Sequence, residues 1–122
     1  MNLIGALAVF IGGGLGSILR FGLSYLIRGI SLSALPYATL ASNILSTAIL
    51  GIVFDKVSPL SNQTLYLFLA IGFCGGFSTF STFSLETFQL LKNDQFILAG
   101  ANILISVFAC LIILFLISKS IK

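Results

Sequence analysis

Histidine and tryptophan are absent from this 122-residue chain, and only three acidic side chains, Asp55, Glu86 and Asp94, stand against six basic ones. Without histidine, and with the acids scattered, there is neither the commonest general base nor a cluster that could ligate zinc, so an enzyme is not expected. Cysteine is scarce too. Cys74 and Cys110 lie in separate apolar runs with no CxxC spacing, which gives no reason to pair them and reads as two small packing residues. The charged residues make up 7% of the chain and form no basic cluster, so no nucleic acid is expected as a partner. No glycine-rich phosphate-binding motif is present, which removes nucleotide-driven pumping.

What fills the chain instead is apolar: 58% of residues are hydrophobic and the mean hydropathy is +1.18, far outside the balance of soluble domains. The pattern is that of an all-α integral membrane protein with a single four-helix transmembrane domain over residues 1–122. The first run has no basic flank in front of it and three more apolar runs behind it, so a cleavable signal peptide is not expected. Spans are expected at 3–27, 36–54, 63–91 and 96–118. Gly12 and Gly16 in the first form a small-xxx-small pair suited to close helix approach. Arg20 lies 17 residues beyond Leu3, or about 25 Å along a helix. That puts it near the far end of the span, able to snorkel or to face a watery vestibule, with Arg28 in the following loop. A short Ser-bearing connection precedes Pro36, which suits a first helical turn. In the second run Thr39, Asn43, Ser46 and Thr47 share one face. The third run exceeds the ~20 residues a span needs, and Gly75-Gly76 near its centre suggests two half-helices with a break near 75–79. In the fourth, Asn102, Ser106 and Cys110 repeat every four residues.

The net charge of +3 carries topological information. With four crossings, Lys56, Lys119 and Lys122 fall on one side, Arg28 and Lys92 on the other, with Arg20 close to the latter. The bias of basic residues that normally fixes orientation is nearly absent, so the chain could insert both ways. Four helices leave little room for a pore along their own axis, so association is expected. An antiparallel, dual-topology pair would reproduce from two chains the symmetry that many transporters obtain from inverted repeats.

The segment with most chemistry is Gly72-Phe-Cys-Gly-Gly-Phe-Ser-Thr-Phe-Ser-Thr-Phe-Ser-Leu-Glu86. Breakable backbone, hydroxyls and a carboxylate at bilayer depth belong in protein or beside water, not against lipid. A break at 75–78 frees carbonyl oxygens. They could converge on a buried monovalent cation, or the kink could be repaired by the hydroxyls of Ser78 or Thr79. Phe80 and Phe83 project from one side of the second half-helix, as packing residues or as ring edges that meet an anion without trapping it. Ser78, Thr79, Ser81, Thr82 and Ser84 provide five hydroxyls within seven residues, able to replace water around a strongly hydrated anion. Glu86 follows one turn beyond Thr82.

That segment closely resembles the signature of the small fluoride channels called Fluc or CrcB. Gly12-Gly-Gly-Leu-Gly-Ser-Ile-Leu-Arg20 is similar to that family's first helix, and Pro36-Tyr-Ala-Thr-Leu-Ala-Ser-Asn43 to its second. The resemblance covers essentially the whole chain and implies a dual-topology dimer with two fluoride pores and a central sodium ion. Carried onto this sequence, the sodium ligands would be the carbonyls of Gly75 and Ser78 from both protomers. Phe80 and Phe83 would be the pore phenyls, Asn43 would position fluoride and the rings, and Arg20 would be the vestibule cation. Thr39, Ser81, Thr82, Ser84 and Glu86 would fall on or near a polar track. Departures lie in run four, where Asn102 stands at a position often held by tyrosine, ahead of Ser106. Phe73 and Phe77 are read as packing residues.

The implied function is passive, selective export of fluoride from the cytoplasm through the inner or plasma membrane, with lipid, fluoride and sodium as partners. The dimer would be homomeric, or a heterodimer with a paralogue. Two other readings predict different behaviour. A proton-coupled fluoride exchanger would lose coupling in Glu86→Gln, and a non-transporting assembly subunit would pass no ions. A small multidrug exporter would need a membrane carboxylate early in the chain, and the first run has none.

Overall fold

The computed structural model describes residues 1–30 and 35–121, with the Ile121 side chain left aside. Most of the Ser-bearing connection before Pro36, and the terminal Lys122, lie outside the described residues.

Four helical spans are long and apolar enough to cross a membrane: Leu3–Arg28, Tyr37–Lys56, Gln63–Lys92 and Phe96–Ser120. Helix α1 (Leu3–Arg28) begins where the Asn2 side chain accepts a hydrogen bond from the Gly5 N–H at 2.7 Å. It continues through Arg28, so Arg28 is the last helical residue rather than part of a loop. Helix α2 (Tyr37–Lys56) starts one residue after Pro36, which takes the cap position instead of the first turn. The third span opens as α3 (Gln63–Tyr66), capped by the Asn62 side chain. It widens into a π-helical segment, π1 (Leu67–Cys74), and ends its first half as α4 (Gly75–Phe77). Ser78 and Thr79 are extended (ψ 162° and 118°), and α5 (Phe80–Lys92) then resumes the span. The break therefore falls within 75–79, but just after the glycine pair. Helix α6 (Phe96–Ile121) closes the domain. Between α5 and α6 the chain turns on Asp94 in the left-handed region (φ 58°), with the Gln95 N–H reaching back to the Leu90 carbonyl at 2.9 Å. A short polar side chain tolerates that conformation better than a branched one.

Packing inverts the soluble-protein rule. Gly12, Gly16, Ser42, Ser46, Ala70, Gly72 and Ala99 are buried, while Phe10, Phe21, Ile97 and Phe115 stand exposed, as a lipid-facing surface requires. The most extensive contact is α1 against π1. There a methyl group at Gly12 or Gly16 would collide with the carbonyl oxygens of Phe68 or Phe73, and one at Gly76 with that of Gly13. Only glycine on both helices lets the two backbones approach this closely. That seam fixes the first half of the broken span and places the break against α2.

Candidate functional site

The break is organised by side chains from α1 and α2. Asn43, on α2, pairs with the Thr79 backbone in both senses: the Thr79 N–H donates to Asn43 Oδ1 at 2.7 Å, and Asn43 Nδ2 donates to the Thr79 carbonyl at 3.4 Å. One turn further along α2, Ser46 Oγ donates to the Cys74 carbonyl at 2.8 Å, an oxygen also reached by the N–H and hydroxyl of Ser78. From α1, Arg20 Nε donates to the Gly76 carbonyl at 3.1 Å, with Ser17 Oγ on the same oxygen at 3.4 Å. Thr79 caps the second half-helix: its Oγ1 accepts from the Thr82 N–H at 3.2 Å and donates to Thr82 Oγ1 at 3.1 Å.

Two cavities flank this arrangement. A groove of about 250 Å³ is lined by residues that include Asn43, Thr47, Phe80, Phe83, Ser106 and Cys110. The Phe80 and Phe83 rings lie 5.7 Å apart with their planes inclined at 39°. Phe83 is half-buried, whereas Phe80 is 79% exposed, so the groove is open along one side. The second cavity, about 400 Å³, is lined by residues that include Arg28, Thr39, Thr82, Glu86 and Gln89. Thr39 Oγ1 donates to Glu86 Oε1 at 2.8 Å, while Glu86 Oε2 is buried without a hydrogen-bond partner among the described residues. Thr79, which borders the groove, bonds to Thr82, and Thr82 lines the carboxylate-bearing chamber together with Thr39. The groove thus brings aromatic rings together with amide and hydroxyl groups in the middle of a span long and apolar enough to cross a membrane.

Other expected residues sit elsewhere. Ser84 Oγ turns back to the Phe80 carbonyl at 2.9 Å, and Ser81 lies beside Thr79 Oγ1 at 3.2 Å; both are exposed and line neither cavity. Asn102 and Ser106 part company: Ser106 borders the groove, but Asn102 is 3% exposed and donates to Thr87 Oγ1 at 2.9 Å, tying α6 to α5. Phe77 is buried, with its ring 5.8 Å from that of Phe73. Three polar residues near the site carry little or no signal in the sequence. Ser17 precedes Arg20 by three residues, a helical spacing that marks the shared face. Thr87 had no signal beyond lying one residue past Glu86. Ser42 is fully buried with its hydroxyl unpartnered among the described residues, one position away from the recognised polar stripe. Among the described residues no group of His, Cys, Asp and Glu could hold a metal through side chains.

Residues 7–117 match the profile of a family described as "CrcB-like protein, Camphor Resistance (CrcB)". Among curated relatives, a protein of Geobacter sulfurreducens named "Fluoride-specific ion channel FluC" is 41% identical over 114 residues, covering 92% of this chain and 90% of the relative. Relatives of the same name come from Leptospira interrogans (43% identical; 83% and 81% covered) and Serratia proteamaculans (42%; 87% and 84%). The shared length takes in the glycine seam, the break and both cavities, and on that evidence the chain belongs to the CrcB family.

Proposed function

We propose that this chain is the subunit of a passive, fluoride-selective channel that lets fluoride leave the cell. It is a multi-pass membrane protein, its relatives carry the name of a fluoride-specific channel, and it is not an enzyme. The observation that carries the reading is the groove at the break, where Asn43, Phe80, Phe83 and Ser106 meet at membrane depth. Phe80 and Phe83 are the ring pair that the ion passes, and Asn43 holds the backbone from which they project. Thr82, Thr39 and Glu86 continue the polar track into the larger chamber. An inside-negative potential drives the anion outward by about 2.3 kcal/mol per 100 mV, so no coupled energy source is needed.

The working unit is an antiparallel pair of these chains. In its favour are the groove's open side, the exposed Gly75 with nothing within 4 Å of an added methyl group, and the near-even distribution of basic residues. A sodium ion at the centre of that pair suits the break. Among the described residues no hydrogen bond reaches the carbonyl oxygens of Gly75 or Ser78, and a hard cation takes such oxygens readily. Those two carbonyls, from both copies, would hold it, and the ion would neutralise bare backbone at the centre of the membrane.

The test is fluoride efflux, followed by electrode, from liposomes carrying the purified chain and a potassium ionophore, with chloride as the competing anion. Rapid fluoride release without chloride release is expected, unaltered by an imposed pH gradient. Efflux that requires a proton gradient would replace the channel with an exchanger. Silence from this chain, alone and with a paralogue, would overturn the reading.

A further inference from the structure

The break exposes a row of backbone carbonyls, and side chains from the neighbouring helices claim some and leave others. The Cys74 oxygen is taken by Ser46 and Ser78, the Gly76 oxygen by Arg20 and Ser17, and the Thr79 oxygen by Asn43. Among the described residues, the carbonyls of Gly75, Phe77 and Ser78 receive no donor. Phe77 is buried, whereas Gly75 is exposed and Ser78 half-buried, so the accessible oxygens are those of Gly75 and Ser78.

From this we infer that Arg20 is a positioning residue for the central cation site: by holding the Gly76 carbonyl inward against α1, it sorts the oxygens at the break and leaves those of Gly75 and Ser78 for the ion. The inference rests on the sodium reading above. It gives Arg20 work other than concentrating anions in a vestibule. Successive carbonyls in a distorted turn cannot all face one way, and fixing the middle one limits how its neighbours can rotate. A guanidinium suits the task because its planar fork presents charged donors in a fixed geometry. Ser17, one turn earlier on α1, supports the same oxygen. If Arg20 let go, the Gly76 carbonyl would be freed to turn outward, and the cation would meet a mobile set of oxygens in place of a fixed one.

The experiment compares the purified full-length chain with Arg20→Gln, Arg20→Lys and Ser17→Ala. Thermal unfolding is followed as sodium replaces N-methylglucamine at constant ionic strength, and fluoride efflux is measured at low and saturating sodium. For Arg20→Gln the sodium concentration giving half the stabilisation should rise by about tenfold or more, the scale on which one hydrogen bond from a charged donor acts. Its efflux should recover at saturating sodium. Arg20→Lys, which keeps a charged donor group without the planar fork, and Ser17→Ala should shift the half-point less. An unchanged half-point in Arg20→Gln, with efflux reduced equally at all sodium concentrations, would overturn the inference and return Arg20 to the vestibule. If Arg20→Gln fails to fold, an unshifted half-point in both Arg20→Lys and Ser17→Ala has the same force. Absence of sodium stabilisation in the unmodified chain would instead remove the sodium reading itself, and this inference with it.

Discussion

Residues 63–77 and Phe80–Lys92 belong to one membrane span, yet they are held in different ways. The first half is fastened through its backbone: Gly72 and Gly76 press on α1 and Gly12 and Gly16 press back, with no room for a methyl group at the contact. The second half is fastened through side chains: Thr79 caps it, Thr39 reaches Glu86, and Asn102 reaches Thr87. Close-packed backbone has few alternative arrangements, whereas hydrogen-bonded side chains on a helix touching its neighbours more lightly can exchange partners. The comparison assigns the halves different duties. The glycine-packed half runs tightly up to the break, and the hydroxyl-bearing half carries the ring pair and the side chains that border the two cavities.

The sharpest way to break this comparison is to put a side chain into the glycine seam. Gly16→Val drives carbon atoms into the Phe73 carbonyl and the Phe77 N–H, both of them backbone that cannot step aside. The expected loss is about 3 kcal/mol or more, at the upper end of overpacking costs. It should appear as a collapsed yield of monodisperse protein and a large drop in melting temperature. A stable, active Gly16→Val protein would mean that the seam does not anchor the first half.

Next in size is the bridge between the halves. Asn43→Ala leaves the Thr79 N–H without its partner, a cost of about 1–3 kcal/mol. Efflux should fall more than stability, since the same amide sits in the groove with Phe80 and Phe83. Asn43→Asp separates the two effects. It keeps the acceptor for Thr79 but loses the donor and brings a negative charge to the groove, so melting should change little while fluoride efflux collapses.

How much of this could be read in advance differs along the chain for physical reasons. The four spans and the break carry strong local signals, because length, hydropathy and paired glycines act on the segment that contains them. The glycine seam was half visible: Gly12 and Gly16 announce a close approach, but not that Phe68 and Phe73 would be met, since that depends on how α1 and π1 cross. The π-helical turns of Leu67–Cys74 had no local mark, and they coincide with the stretch most tightly packed on α1. Among the residues singled out by the motif, Asn43, Phe80 and Phe83 line the groove, and Thr82 and Thr39 the chamber. Arg20 does not follow from spacing alone, because its reach to Gly76 requires the tertiary contact. Asn102 was legible only as part of a polar stripe with Ser106; that its amide is buried and donates to Thr87 depends on how α5 and α6 pack.

That bond of Asn102 to Thr87 gives a smaller and separable effect within the second half. Asn102→Leu removes the donor to Thr87 but keeps volume, and the loss of a buried hydrogen bond should cost about 1–2 kcal/mol. Thr87→Val should cost a similar amount. The double variant should cost less than the sum, since either change alone already breaks the bond. Fluoride efflux should stay close to the unmodified rate in all three. A selective loss of efflux in Asn102→Leu would put this residue on the ion path and blur the division between fastening and conduction.

The smallest expected effect tests whether backbone packing of the first kind continues beyond one protomer. Gly14 sits on α1 beside the glycines of the seam but is exposed, with nothing within 4 Å of an added methyl group. Gly100 on α6 is half-buried but likewise has nothing within 4 Å of an added methyl group. If lipid alone covers both, Gly14→Ala and Gly100→Ala should each be neutral or gain up to about 1 kcal/mol from better helix propensity. If a second copy lies on α1, the methyl group at Gly14 occupies space the partner needs. We expect the second result. Dilution of the reconstituted protein in lipid should then reveal weaker self-association for Gly14→Ala but not for Gly100→Ala, with the subunit's own melting unchanged. Equal behaviour of the two variants would confine the glycine seam to the single chain and move the partner's surface off this face of α1.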